Sequence, residues 1–92
     1  MKYIIKISEQ AEKDILKLEK SGEKAALKKL LSIIKELESN PTVGIGKPER
    51  LKHFEEITYS RRISAKHRHV YEIQELQVVV ILISAYGHYN DK

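Results

Sequence analysis

The sequence predicts an α+β fold ordered β-α-α-β-β-β, with two N-terminal helices packed on one face of a twisted, mainly antiparallel sheet. Three observations carry that reading. Apolar residues recur at helical spacing in two neighbouring stretches of the first forty residues. A loop rich in proline and glycine follows. The remainder breaks into short segments of β-prone residues with brief separators, ending in a nearly all-apolar run.

The elements follow in order. "KYIIKI" (2–7) is short and rich in β-formers, so it reads as a first strand. Ser8 suits an N-cap, and Glu9 and Glu12 suit the positive end of a helix dipole. Ala11, Ile15 and Leu18 then mark one face of a helix over 9–20. Ser21-Gly22 interrupts it. Ala26, Leu27, Leu30, Leu31, Ile34 and Leu37 mark a second helix, which Asn40-Pro41 stops because proline cannot continue the hydrogen-bond ladder. "NPTVGIGKPE" (40–49) is a loop. "RLKHF" (50–54), "TYSRRIS" (58–64), "HRHVYEI" (67–73) and "QVVVILISAY" (77–86) read as hairpin-linked strands, with room for one extra short strand. The last is expected in the sheet interior, covered on both faces, or covered on one and used in an interface. The sheet face away from the helices is left free for Arg61 or Arg62, and for Arg68.

Length favours one domain spanning 1–92. Hydrophobic residues at 41% and charged residues at 33% fit a folded soluble chain. The absence of cysteine excludes disulfides, thiol nucleophiles and cysteine metal sites. No apolar run is long enough to cross a membrane as a helix, and the N-terminus lacks a signal-peptide pattern, so a cytoplasmic protein is expected. The net charge is +4, but its distribution is more informative. Lys47, Arg50, Lys52, Arg61, Arg62, Lys66 and Arg68 crowd the segment from Gly46 to His69, against Glu49, Glu55 and Glu56. Every arginine lies in the second half of the chain. Arginine suits planar contact with phosphate, which points to a polyanion partner, nucleic acid first.

Three polar clusters carry candidate chemistry: Glu49 with Lys52 in "GKPERLKH", Arg61, Arg62 and Arg68 in the strands, and His88-Tyr89 in "YGHYNDK". Each alone has an ordinary explanation as solvated loop, sheet surface or chain end. His67 and His69, with His53, are spaced as a metal set might be, but they lack an acidic partner set, and no metal is expected. Neither a phosphate-binding glycine loop nor a serine triad is present. Together, an acid, several arginines and a histidine make metal-free RNA cleavage available. A carboxylate can deprotonate the 2′-hydroxyl, arginines can stabilise charge on the phosphate, and a histidine can protonate the departing 5′ oxygen.

The motifs G-K-P-E-x-L-K-H, S-R-R-I-x-x-x-H-R-x-V-Y and a final H-Y, in that order, resemble the toxins of the RelE superfamily, most closely the YoeB (Txe) branch. The resemblance implies the RelE-like fold and a ribosome-dependent messenger-RNA endonuclease, the toxin half of a type II toxin–antitoxin module. By position it implies Glu49 as general base, His88 as general acid and Arg68 as the stabiliser of the phosphate. Lys52 and Arg62 line the same site, and Tyr89 positions the RNA. The arginines of "SRRISAKHRHVY" are thus expected to face a phosphate backbone; strand parity cannot choose between Arg61 and Arg62, and the resemblance favours Arg62. It further implies a YefM/Phd-like antitoxin, operator DNA contacted only through the antitoxin complex, a homodimer as one oligomeric form, and no cofactor. Arg50, Tyr59 and the tail Asn90-Asp91-Lys92 depart from the branch's pattern. Two other readings stand beside it: a ParE-type toxin directed at DNA gyrase, and a non-catalytic protein of the same fold that only binds. The Glu49, Arg68 and His88-Tyr89 set separates the first reading from both.

Overall fold

The N-terminal strand β1 (Ile4–Ile7) hands over to helix α1 (Glu9–Lys20) at Ser8, in a computed structural model that describes residues 2–75 and 79–84. Ser8 is extended, and its hydroxyl accepts a hydrogen bond from the Ala11 N–H at 3.1 Å, satisfying one of the donors that a helix start leaves open. The helix ends where Ser21 Oγ donates to the Leu18 carbonyl and Gly22 takes a left-handed φ of 78°, which glycine adopts without penalty. Helix α2 (Lys24–Leu37) follows at once.

Each helix buries one stripe. Ala11 and Leu18 of α1, and Ala26, Leu30, Ile33 and Leu37 of α2, meet Tyr71, Ile73 and Val80 of the sheet in one apolar cluster. Fully burying a leucine or isoleucine is worth about 1.5–3 kcal/mol, so this cluster is the main adhesive between helices and sheet. Asp14 is buried within the α1 stripe, where Gln10 Nε2 donates to its carboxylate at 2.8 Å.

The remaining strands are β2 (Glu49–Arg50), β3 (Ile57–Arg62), β4 (Arg68–Gln74) and β5 (Val79–Ser84). The sheet order is β1-β5-β4-β3-β2, so the apolar last run lies in the sheet interior as expected. Neighbours pair antiparallel except β1 and β5, which run parallel with Ile5 opposite Val80. The segment 50–54 does not form a strand of that length. After one further bond, Leu51 N–H to the Thr58 carbonyl at 2.8 Å, the chain turns away through His53, whose φ is 68°. The extra short strand is therefore β2 itself. Among the described residues, no helix is long and apolar enough to cross a membrane.

Candidate functional site

Strand β3 divides its two arginines between opposite faces of the sheet. Ile57, Tyr59 and Arg61 point toward the helices, and Thr58, Ser60 and Arg62 point away, as strand alternation requires. Arg61 is fully buried. Its Nε donates to Tyr71 Oη at 3.0 Å; Nη1 donates to the Glu36 carboxylate and to the Ile45 carbonyl at 3.3 Å; Nη2 donates to the carbonyls of Asn40 at 2.6 Å and Val43 at 3.0 Å. All five donors of the guanidinium are thus used. The expectation that the arginines of this stretch face a phosphate backbone fails for Arg61: it has no donor left and no access to solvent. Arg62 is the exposed member of the pair.

The partners of Arg61 belong largely to the loop 40–46, which wraps its head group. Tyr71 Oη passes the chain of bonds on to the Pro41 carbonyl at 2.6 Å, and the Ile45 N–H donates to Glu36 Oε1 at 3.1 Å. Two glycines permit the close approach. A Cβ on Gly44 would lie on the Glu36 carboxylate, and one on Gly46 would meet the Arg62 carbonyl oxygen at 2.9 Å and Arg61 Cβ at 3.2 Å. Both also have φ in the left-handed region, at 134° and 80°. The loop is then tied to β3 by Arg62 N–H donating to the Gly46 carbonyl at 2.6 Å.

Glu49 stands three residues beyond Gly46, on the open face, paired in register with Ser60. Arg68 lies opposite Arg62 across the β3–β4 pair. Its Nη1 donates to Ser60 Oγ at 2.9 Å and to Glu49 Oε1 at 3.4 Å. The Glu49 side chain is 64% exposed and that of Arg68 only 21%. An exposed pair at that distance contributes at most about 1 kcal/mol to stability, so it is not there chiefly to hold the fold. Lys52 follows β2 on the same connection and is exposed. Two non-glycine residues with left-handed backbone, Lys47 at φ 50° and His53 at φ 68°, bracket this segment. Such conformations cost about 1–2 kcal/mol each and collect at functional sites.

The structure therefore brings Glu49 and Arg68 together and sets Arg62 across from Arg68. His88 and Tyr89 lie outside the described residues, as does the tail 90–92. Ser60 is the member that the sequence reading missed. Its signal was its parity with Arg62 in S-R-R-I, which puts both on one face.

The histidines of "KHRHVY" turn inward. His67 Nε2 contacts both Glu23 carboxylate oxygens, at 3.1 and 3.2 Å, joining the β3–β4 turn to the start of α2. Glu23 is held below the usual carboxylate range by its bond from Ser21 and then by His67. His69 is fully buried, 5.3 Å from the Tyr71 ring, and neither ring nitrogen has a hydrogen-bond partner among the described residues. Burial, aided by the Arg61 charge, pushes its pKa down to about 3, so it is neutral at physiological pH. Among the described residues no group of three or more His, Asp or Glu side chains is placed to hold a metal ion.

Positions 7–89 match the profile of the YoeB-like toxin of bacterial type II toxin–antitoxin systems. Toxin YoeB of Synechocystis sp. is 39% identical over 69 residues, covering 75% of this chain and 78% of that protein. The structure of the YoeB dimer from Staphylococcus aureus superposes with a TM-score of 0.79 at 33% identity, over 97% of this chain and 100% of that one. The same organism's YoeB–YefM complex contains a chain that superposes at 0.76, also at 33% identity, with the same coverage. On this evidence the chain belongs to the YoeB-like toxins of the RelE superfamily.

Proposed function

We propose that this toxin is a ribosome-dependent, metal-independent messenger-RNA endoribonuclease that stops translation. The observation that supports it best is the meeting of the Glu49 carboxylate with the Arg68 guanidinium on the face that also carries Arg62. A base and a cation at one place are what an attack by the RNA's own 2′-hydroxyl needs. Glu49 takes the 2′-hydroxyl proton, and the oxygen attacks the adjacent phosphorus. Arg68 stabilises the charge that gathers on the phosphate oxygens, with Arg62 and Lys52 contributing positive potential and phosphate contacts. His88 donates a proton to the departing 5′ oxygen, and Tyr89 positions the RNA. The products are a 2′,3′-cyclic phosphate and a 5′-hydroxyl.

The substrate is message presented by the ribosome, in the cytoplasm. The neutralising partner is a YefM/Phd-like antitoxin, consistent with the YoeB–YefM complex of the S. aureus relative. Operator DNA is reached only through that complex, and a homodimer is a further assembly, as in the S. aureus relative. An acidic antitoxin segment on the basic face would compete with ribosomal RNA and message.

The test is single-turnover cleavage of a ribosome-bound message. Glu49→Gln and His88→Gln are each expected to slow it by about 10²–10⁴-fold, the usual contribution of a general base or acid. A 2′-deoxy nucleotide just before the cut removes the nucleophile and should abolish the reaction. Efficient cutting of the deoxy message would mean that water or a protein group attacks, and the role of Glu49 would be lost.

A further inference from the structure

We infer that Arg61, which never touches substrate, is a positioning residue that sets where the Glu49 carboxylate stands; the inference rests on the ribonuclease reading above. The observation behind it is a clamp of five bonds, three to carbonyls of the loop 40–46 and two to Tyr71 and Glu36, which themselves bond to that loop. That loop delivers the chain to Glu49 through only two intervening residues. Lys47 stands in the narrow left-handed region at φ 50°. Pro48 has a φ locked by its ring. A displacement of Gly46 is therefore transmitted to Glu49 instead of being absorbed on the way.

The strand side of the arrangement is equally direct. Gly46 docks on the N–H of Arg62, the neighbour of Arg61, and Glu49 registers against Ser60, its other neighbour. Ser60 Oγ in turn receives the Arg68 guanidinium at 2.9 Å. Base, phosphate ligand and clamp thus share three consecutive residues of β3. The inward side chain of the middle residue fixes the loop whose outward continuation carries the base. A catalytic group misplaced by about 1 Å can lose on the order of 10²-fold in rate, so small changes in the clamp have large consequences. Lysine keeps the charge but has neither the planar fork nor enough donors to hold the Glu36 carboxylate, Tyr71 and the loop carbonyls together.

The experiment compares wild type, Arg61→Lys, Glu49→Gln and the double variant in single-turnover cleavage on the ribosome, with rates referred to folded toxin. Arg61→Lys is expected to lower the rate at saturating toxin by about 10–100-fold while ribosome affinity is retained. In the Glu49→Gln background the same substitution should cost no further rate, because the group it positions is already absent. Tyr71→Phe removes only the Arg61–Tyr71–Pro41 link and should show a smaller loss with the same dependence on Glu49; it carries the test if Arg61→Lys does not fold. The inference is overturned if Arg61→Lys cleaves at the wild-type rate per folded molecule, or if its loss recurs undiminished without Glu49. An inactive Glu49→Gln beside an unaffected Arg61→Lys removes the inference alone. Wild-type cleavage by Glu49→Gln removes the ribonuclease reading of Glu49 and the inference with it.

Discussion

Arg61 and Arg62 are adjacent, carry the same charge and lie in the same strand, yet their surroundings differ in every respect. Arg61 is sealed behind the sheet with every donor occupied, while Arg62 stands on the open face across from Arg68. The contrast shows how a strand can assign one residue type to opposite tasks at successive positions. Inside, the guanidinium organises backbone; outside, it is exposed to solvent. The histidines across the pair give a second version of the contrast. His67 reaches a carboxylate, and His69, opposite Arg61, packs on the Tyr71 ring with no hydrogen-bond partner for its nitrogens among the described residues.

The sharpest way to break the comparison is to remove each arginine in turn. Arg61→Met should destabilise the fold by about 3–5 kcal/mol, because it strands the Glu36 carboxylate and several loop carbonyls that the guanidinium now satisfies. Urea unfolding measures this directly, and a loss below about 1 kcal/mol would show that the clamp holds nothing in place.

Next in size is His69→Leu, which should stabilise the protein at neutral pH by about 1–3 kcal/mol, since it replaces two unsatisfied buried nitrogens with methyl groups. The same variant tests a pH dependence. The folded pKa of about 3 lies below the usual histidine value of 6.5, so between those pH values the unfolded chain binds the additional proton. Stability from this residue is therefore complete above pH 6.5 and is lost as pH falls toward 3, at up to about 1.4 kcal/mol per pH unit. Acid titration of the unfolding free energy should be shallower in His69→Leu than in the wild type. Equal slopes would assign the acid sensitivity to other groups, Glu23 among them, whose lowered pKa adds a loss at more acidic pH. The smallest effect on stability belongs to Arg62→Ala, within about 0.5 kcal/mol by the same urea measurement, although ribosome-dependent cleavage should fall clearly. A large stability loss there would erase the distinction between the two faces.

Much of this was legible in the sequence, and the limits have physical causes. The helices, the loop and the succession of elements along the chain follow from local patterning, and the helix 9–20 is observed as Glu9–Lys20. The cluster of Glu49 and Arg68 follows from motif resemblance. Parity guarantees that Arg61 and Arg62 face opposite ways but cannot say which is inside, because that depends on Glu36 and the loop 40–46. The partner of His67 is equally distant in sequence, at Glu23. The parallel pairing of β1 with β5 joins the two ends of the described chain and leaves no local signature. The short length of β2 depends on the backbone turn at His53, whose positive φ is uncommon outside glycine and carries no sequence motif.

That parallel pairing also bears on how the toxin comes into being. β5 fills the slot between β1 and β4, so the N-terminal strand has no place in the sheet until residues 79–82 are available to pair with it. The helices and the β3–β4 hairpin can collapse earlier, but the sheet closes only with β5. Contacts between residues so far apart in sequence form late and slowly. Closure of the sheet in this toxin therefore waits on β5, the one strand that joins β1 to the antiparallel remainder among the described residues.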